Sequence, residues 1–191
     1  MPDGFDHPRY TNQPFPPYRF LPGRNPHPHS PLGHSHIPPG FSPPKVEFVA
    51  PDRWRESSDY LFGCDLYNHG YWWEAHEAWE GLWQVCDKTG PQGRFLQGLI
   101  QVAAAHLKLR LGRLDGTHRL LCRGLEHLRF AAGEAPDCAF MGLELVVFAE
   151  QVEAYLSMRL ARLPRAEVSE GEASGHDAAS YPYIRLRFET G

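Results

Sequence analysis

Residues 71–87 read Tyr-Trp-Trp-Glu-Ala-His-Glu-Ala-Trp-Glu-Gly-Leu-Trp-Gln-Val-Cys-Asp and hold the side chains best suited to chemistry. His76 and Glu80 stand at i and i+4, with Trp83 at i+7. At about 100° of rotation per helical residue, these three and Asp87 fall within about 40° of one direction. Trp72 and Trp79 flank that arc, so the spacing predicts the polar pair on the side the helix buries. An imidazole and a carboxylate buried among three indoles are costly unless each finds a partner. One solution is to ligate a single first-row metal ion from one helix face. Another is a catalytic pair, with Glu80 setting the tautomer of His76 for acid–base work. The third is a purely structural couple. The zinc-protease pattern His-Glu-x-x-His is absent, because Glu80 stands where its second histidine would be. Glu77 points about 100° away from His76 and Glu74 further still. Both are expected to face solvent, where acids near a helix N-terminus are favourable.

Two protein ligands do not complete a metal site, so further donors are needed. His106 lies in the apolar arc of the next helical segment, either as a satisfied core residue or as a third ligand. The arm contains His27-Pro28-His29 and His34-Ser35-His36, four histidines in ten residues. Such a tract binds Zn, Ni or Cu adventitiously; a native site would draw one or two of them, such as His27 or His34, to His76 and Glu80. The donor types suit Zn, Fe, Mn or Ni. Gln97 and Gln101 form either a solvated stripe or, with Trp72, Trp79 and Trp83, the wall of a pocket beneath the arm.

The elements that must position these groups change character at residue 51. Fourteen of the eighteen prolines and five of the eleven histidines lie in residues 1–51. Proline fixes φ and removes a backbone donor, so this arm is predicted to be extended or looped. Phe5, Tyr10, Phe15, Tyr18, Phe20 and Phe41 give it more aromatic content than a free tail carries. At least residues 14–45 are therefore expected to lie on the core as an ordered strap, near the His76 face. A helical domain is predicted over 52–163. Its helices span Asp52 to Asn68, Tyr71–Asp87, Arg94–Leu111, Thr117–Ala131 and about Cys138 to Leu163. Glycines 70, 90, 93, 112 and 116 punctuate them. Residues 164–191 read as a linker and tail, in which Tyr181–Phe188 forms a short strand or docks extended. The fold class is all-α: one compact bundle of about five helices with a proline-rich N-terminal arm.

Composition narrows the function classes. The 191 residues are 42% hydrophobic, enough for one sizeable core. A formal net charge of −4 disfavours wholesale nucleic-acid binding. Residues 52–87 carry eight acids against two bases, and 94–129 carry seven bases against two acids. Pairing between neighbouring helices is the expected outcome. The basic helices lack the interleaved aromatics of an RNA surface. Cys64, Cys86, Cys122 and Cys138 have no close pair and fit a reduced compartment. No apolar run spans a membrane and no signal peptide opens the chain, so the cytoplasm is expected. A small molecule or a protein is the expected partner, and a homo-oligomer is compatible with the sequence.

The run Tyr67 to Glu77, followed by Glu80 and Trp83, resembles the prokaryotic "domain of unknown function 309" family, marked by a His-x3-Glu-x2-Trp motif. The block Phe95-Leu96-Gln97-Gly98-Leu99-Ile100-Gln101-Val102-Ala103 resembles that family's second characteristic block. The arm segments Pro22 to Pro28 and Gly33-His34-Ser35 resemble those of its longer members. The resemblance covers residues 52–130 well and implies a compact all-helical fold. It places the motif on His76, Glu80 and Trp83 but implies no reaction. Two functions remain open on the residues: a metal-dependent, hydrolase-like enzyme, or a non-catalytic helical interaction module whose His/Glu/Trp cluster is structural.

Overall fold

The computed structural model describes residues 7–135, 139–162 and 181–188. Helices dominate it. A 3-10 helix, Pro51–Glu56, leads into α1 (Ser58–Asn68), α2 (Trp72–Val85), α3 (Pro91–Arg110) and α4 (Leu114–Gly133). A two-residue hairpin, β1 (Ala139–Phe140) and β2 (Leu143–Glu144), then precedes α5 (Leu145–Arg162). The all-α class expected from periodicity is the one observed. Among the described residues no helix is long and apolar enough to cross a membrane.

Local sequence sets the boundaries. Ser57 caps α1 by accepting the Tyr60 N–H at 3.3 Å. Pro91 opens α3, where its missing N–H costs nothing. Gly70 and Gly112, at φ +76° and +67°, follow the ends of α1 and α3.

Two boundaries differ from the periodicity. The first predicted helix is split, because Arg53 leaves helical φ/ψ and Ser57 turns extended before α1 begins. The fifth begins at Leu145 rather than near Cys138, which lies outside the described residues, as does Leu163. Met141 and Gly142 both take positive φ and turn β1 into β2, the two-residue turn that strand twist favours. The Met141 carbonyl accepts the buried Tyr60 hydroxyl at 2.9 Å, which holds this uncommon methionine conformation in place.

The core centres on α3. Phe95, Leu96, Leu99, Val102, Ala103 and Ala105 are all essentially inaccessible, and each large apolar side chain so buried contributes roughly 1.5–3 kcal/mol. One side of α3 meets α2 and another meets α4. The α3–α4 approach is close because Gly98 and Gly124 face each other's backbone: a Cβ at Gly98 would stand 3.2 Å from the Gly124 carbonyl oxygen.

Two buried polar residues of α1 recruit the segments outside the bundle. Asp65 accepts the Tyr10 N–H at 2.6 Å, the Thr11 N–H at 2.8 Å and the Thr11 hydroxyl at 2.7 Å. Asn68 accepts the Ile184 N–H at 2.6 Å and donates to the Ile184 carbonyl at 2.8 Å. The C-terminal segment thereby docks extended, and it also makes a single antiparallel bridge from Leu186 to Leu143. The arm continues along the bundle, with Phe15 against Phe62 and Tyr71, and Phe20 against Trp73. The acids of α1 and α2 find their partners in this arm, at Arg9, His29 and His34, rather than across to the basic helices as expected. The arm reaches them because it crosses the outer side of α2.

Candidate functional site

The buried stripe of α2 is Trp72, Ala75, Trp79 and Leu82. His76 and Glu80 sit on its edge, with side chains 29% and 40% exposed. The sequence placed this pair at the centre of the buried face. The difference arises because the stripe is centred on Ala75 and Trp79, one residue before each polar group, which turns the pair about 100° off it. Trp79 is fully buried and donates its indole N–H to the Tyr60 carbonyl at 3.4 Å. Trp83 is only partly buried, and the Lys88 ammonium stands 4.4 Å from its ring centre.

The acids expected to face solvent are the ones the arm covers. Glu74 is buried; its Oε1 accepts the Phe20 N–H at 2.8 Å and His34 Nε2–H at 3.1 Å. Burial pushes its carboxyl above the usual range, against those hydrogen bonds. Glu77 Oε2 accepts His29 Nε2–H at 3.0 Å, while its Oε1 lies 3.4 Å from His76 Nδ1. The His76 imidazole, first, and then His29 hold the Glu77 carboxyl below its ordinary range, outweighing partial burial.

His76 Nδ1 faces two carboxylates, Glu77 at 3.4 Å and Glu80 at 3.8 Å. It is shielded from solvent, yet neither contact is aligned as a hydrogen bond. One donor atom from each of His76, Glu77 and Glu80 lies within 4.8 Å of the others. Two ligands about 2.1 Å from an ion at the tetrahedral angle stand about 3.4 Å apart. The His76–Glu77 spacing matches that figure, and Glu80 stands slightly further, 3.8 Å from His76 Nδ1. The chemistry of the set, one imidazole and two carboxylates, suits Zn, Mn or Fe.

The other candidate ligands go elsewhere. His106 is fully buried, shares a 3.0 Å hydrogen bond with the Tyr67 hydroxyl, and lies between the rings of Trp72 and Tyr155. Burial alone pushes its imidazole down to about 3. His27 packs edge-on against Phe20 and Trp73, and His34 is engaged by Glu74. The arm histidine that reaches the cluster is His29. No spacing signal singles it out among four histidines in ten residues.

The residues read as a pocket wall have different surroundings. Trp72 stacks on His106, Trp79 is core, Gln97 is half-buried, and Gln101 lies beside Gly124 of α4. A cavity of about 620 Å³ lies between α5 and the C-terminal segment, lined by Val147, Phe148, Tyr155, Met158, Tyr181 and Tyr183 among others.

Comparison with known proteins finds a family match, and it covers the motif helix. Residues 60–120 match the family model described as domain of unknown function (DUF309). No curated protein matches the chain. The matched segment runs from α1 through α2 and α3 into α4, and so includes His76, Glu77, Glu80 and Trp83; over these residues the chain is similar to the DUF309 family.

Proposed function

We propose that His76, Glu77 and Glu80 bind one divalent transition-metal ion and that the protein uses it in a hydrolytic reaction. The observation that carries this reading is His76 Nδ1: solvent-shielded and turned toward two carboxylates, at 3.4 and 3.8 Å, distances close to those within a coordination sphere. Held by His76, Glu77 and Glu80, such an ion would supply Lewis-acid chemistry, acidifying water and polarising a carbonyl or phosphoryl oxygen. The partial exposure of His76 and Glu80 gives a substrate access to the site. His106, locked between Trp72 and Tyr155, is assigned no catalytic part.

One observation favours a second reading, a non-catalytic interaction module with a structural cluster. The arm is fastened to α2 by the His29–Glu77 and His34–Glu74 pairs, which engage protein groups on both sides. Calorimetric titration of chelator-stripped, tag-free protein with Zn²⁺ and Mn²⁺ separates the two. The metal reading expects one site per chain, lost in both His76→Ala and Glu80→Ala with helical content retained. The structural reading expects no stoichiometric site.

A further inference from the structure

The arm around His29, the residue that reaches Glu77, forms a compact loop. Ser30 N–H donates to the His27 carbonyl at 2.8 Å, Gly33 N–H to Ser30 at 2.7 Å, and Ser35 N–H to Pro28 at 3.0 Å. A Cβ at Gly33 would run into the Pro28 and His27 carbonyls, so this winding requires glycine there. The loop is fastened at its inner end by the His34–Glu74 pair, in which both side chains are about 95% shielded. At its outer end His29 lies edge-on to Trp73, with ring centres 5.4 Å apart, and reaches Glu77.

Glu77 divides its two oxygens. Oε2 takes the hydrogen bond from His29, and Oε1 is left facing His76. A long side chain at i+1 has no intrinsic reason to converge on the preceding residue. The His29 hydrogen bond supplies that reason, because it fixes the plane of the carboxylate. Partners of this kind orient a ligating group and commonly change metal affinity 10- to 100-fold when removed.

We infer that His29 is a positioning residue of the metal site, acting through Glu77, so that ion binding and docking of the 27–36 loop are linked. The inference rests on the metal reading above. An ion drawing on Glu77 Oε1 fixes the same carboxylate that His29 grips, and linkage between the two events must be reciprocal. The loop therefore closes more firmly over α2 when the ion is bound, and the ion binds more tightly when the loop is docked.

The test pairs two measurements on the full chain. Zn²⁺ affinity is measured by calorimetry for the native protein, His29→Ala and His29→Gln. Cleavage of the 27–36 loop by a nonspecific protease is timed in the native protein with and without Zn²⁺. The expected result is about 10- to 100-fold weaker binding in His29→Ala and partial recovery in His29→Gln, whose amide also donates to a carboxylate. Zn²⁺ should also slow loop cleavage. Equal affinity in all three proteins, or metal-independent cleavage, overturns the linkage while leaving the metal site standing. Weakened binding that glutamine does not recover overturns the positioning role in favour of direct ligation by His29. No Zn²⁺ binding by the native protein overturns the metal reading and this inference with it.

Discussion

The buried His106 should make the whole fold acid-sensitive in a way a single substitution removes. Its imidazole is ordinarily protonated near 6.5 but is held down to about 3 by burial. Between those values the unfolded chain binds a proton at this residue and the folded chain does not. Stability is therefore complete above about pH 6.5 and falls as the pH is lowered, by about 1.4 kcal/mol per pH unit until the folded imidazole itself protonates. From pH 6 to pH 4 the loss assignable to His106 is about 2.5 kcal/mol, and about 5 kcal/mol across the full window. That is a large share of the roughly 5–15 kcal/mol typical of a domain. Urea unfolding at pH 7, 6, 5 and 4 measures it when the native protein is compared with His106→Gln, which keeps a polar partner for Tyr67 but does not titrate. The other histidines and carboxylates titrate alike in both proteins and cancel in the difference. The reasoning is refuted if the two proteins lose the same stability between pH 6 and pH 4, to within about 0.5 kcal/mol.

Further outcomes follow from the packing. Asp65→Ala removes the acceptor of two backbone N–H groups and one hydroxyl in the arm; a hydrogen bond to a charged group contributes about 1.5–3 kcal/mol, so chemical denaturation should show at least that loss, with earlier proteolysis near Tyr10. Gly98→Ala brings a Cβ to 2.8 Å from two carbons of the fully buried Leu128. The strain of about 1–3 kcal/mol exceeds the gain of about 1 kcal/mol from replacing a helical glycine, so thermal unfolding should occur at lower temperature.

Much of the bundle is legible in the sequence because period and punctuation agree there. The arc of Phe95, Leu96, Leu99 and Val102 marks α3 as central, and Gly70 and Gly112 mark helix ends that the structure reproduces. The hairpin before α5 was not legible, since its turn uses Met141 where asparagine, aspartate or glycine would announce it. The site was half legible. Helical spacing joins His76 to Glu80, but it assigns Glu74 and Glu77 to solvent because it sees one helix at a time. What brings them inward is the arm, which supplies His34 and His29 from 40 and 48 residues earlier in the chain. Periodicity carries no information about contacts at that separation. His106 was ambiguous for the converse reason: an apolar arc shows that a histidine is buried, not whether a tyrosine or an ion satisfies it.

The central claim is that one ion sits between His76, Glu77 and Glu80, and a diffraction measurement tests it most directly. Crystals of chelator-stripped, tag-free protein would be soaked in Zn²⁺ and an anomalous difference map collected at the zinc edge. The account predicts one strong peak about 2.0–2.2 Å from His76 Nδ1, with an oxygen of Glu77 and of Glu80 at similar distances and His29 still hydrogen-bonded to Glu77. A map without a peak there, or with zinc only on the arm histidines away from both carboxylates, would contradict it.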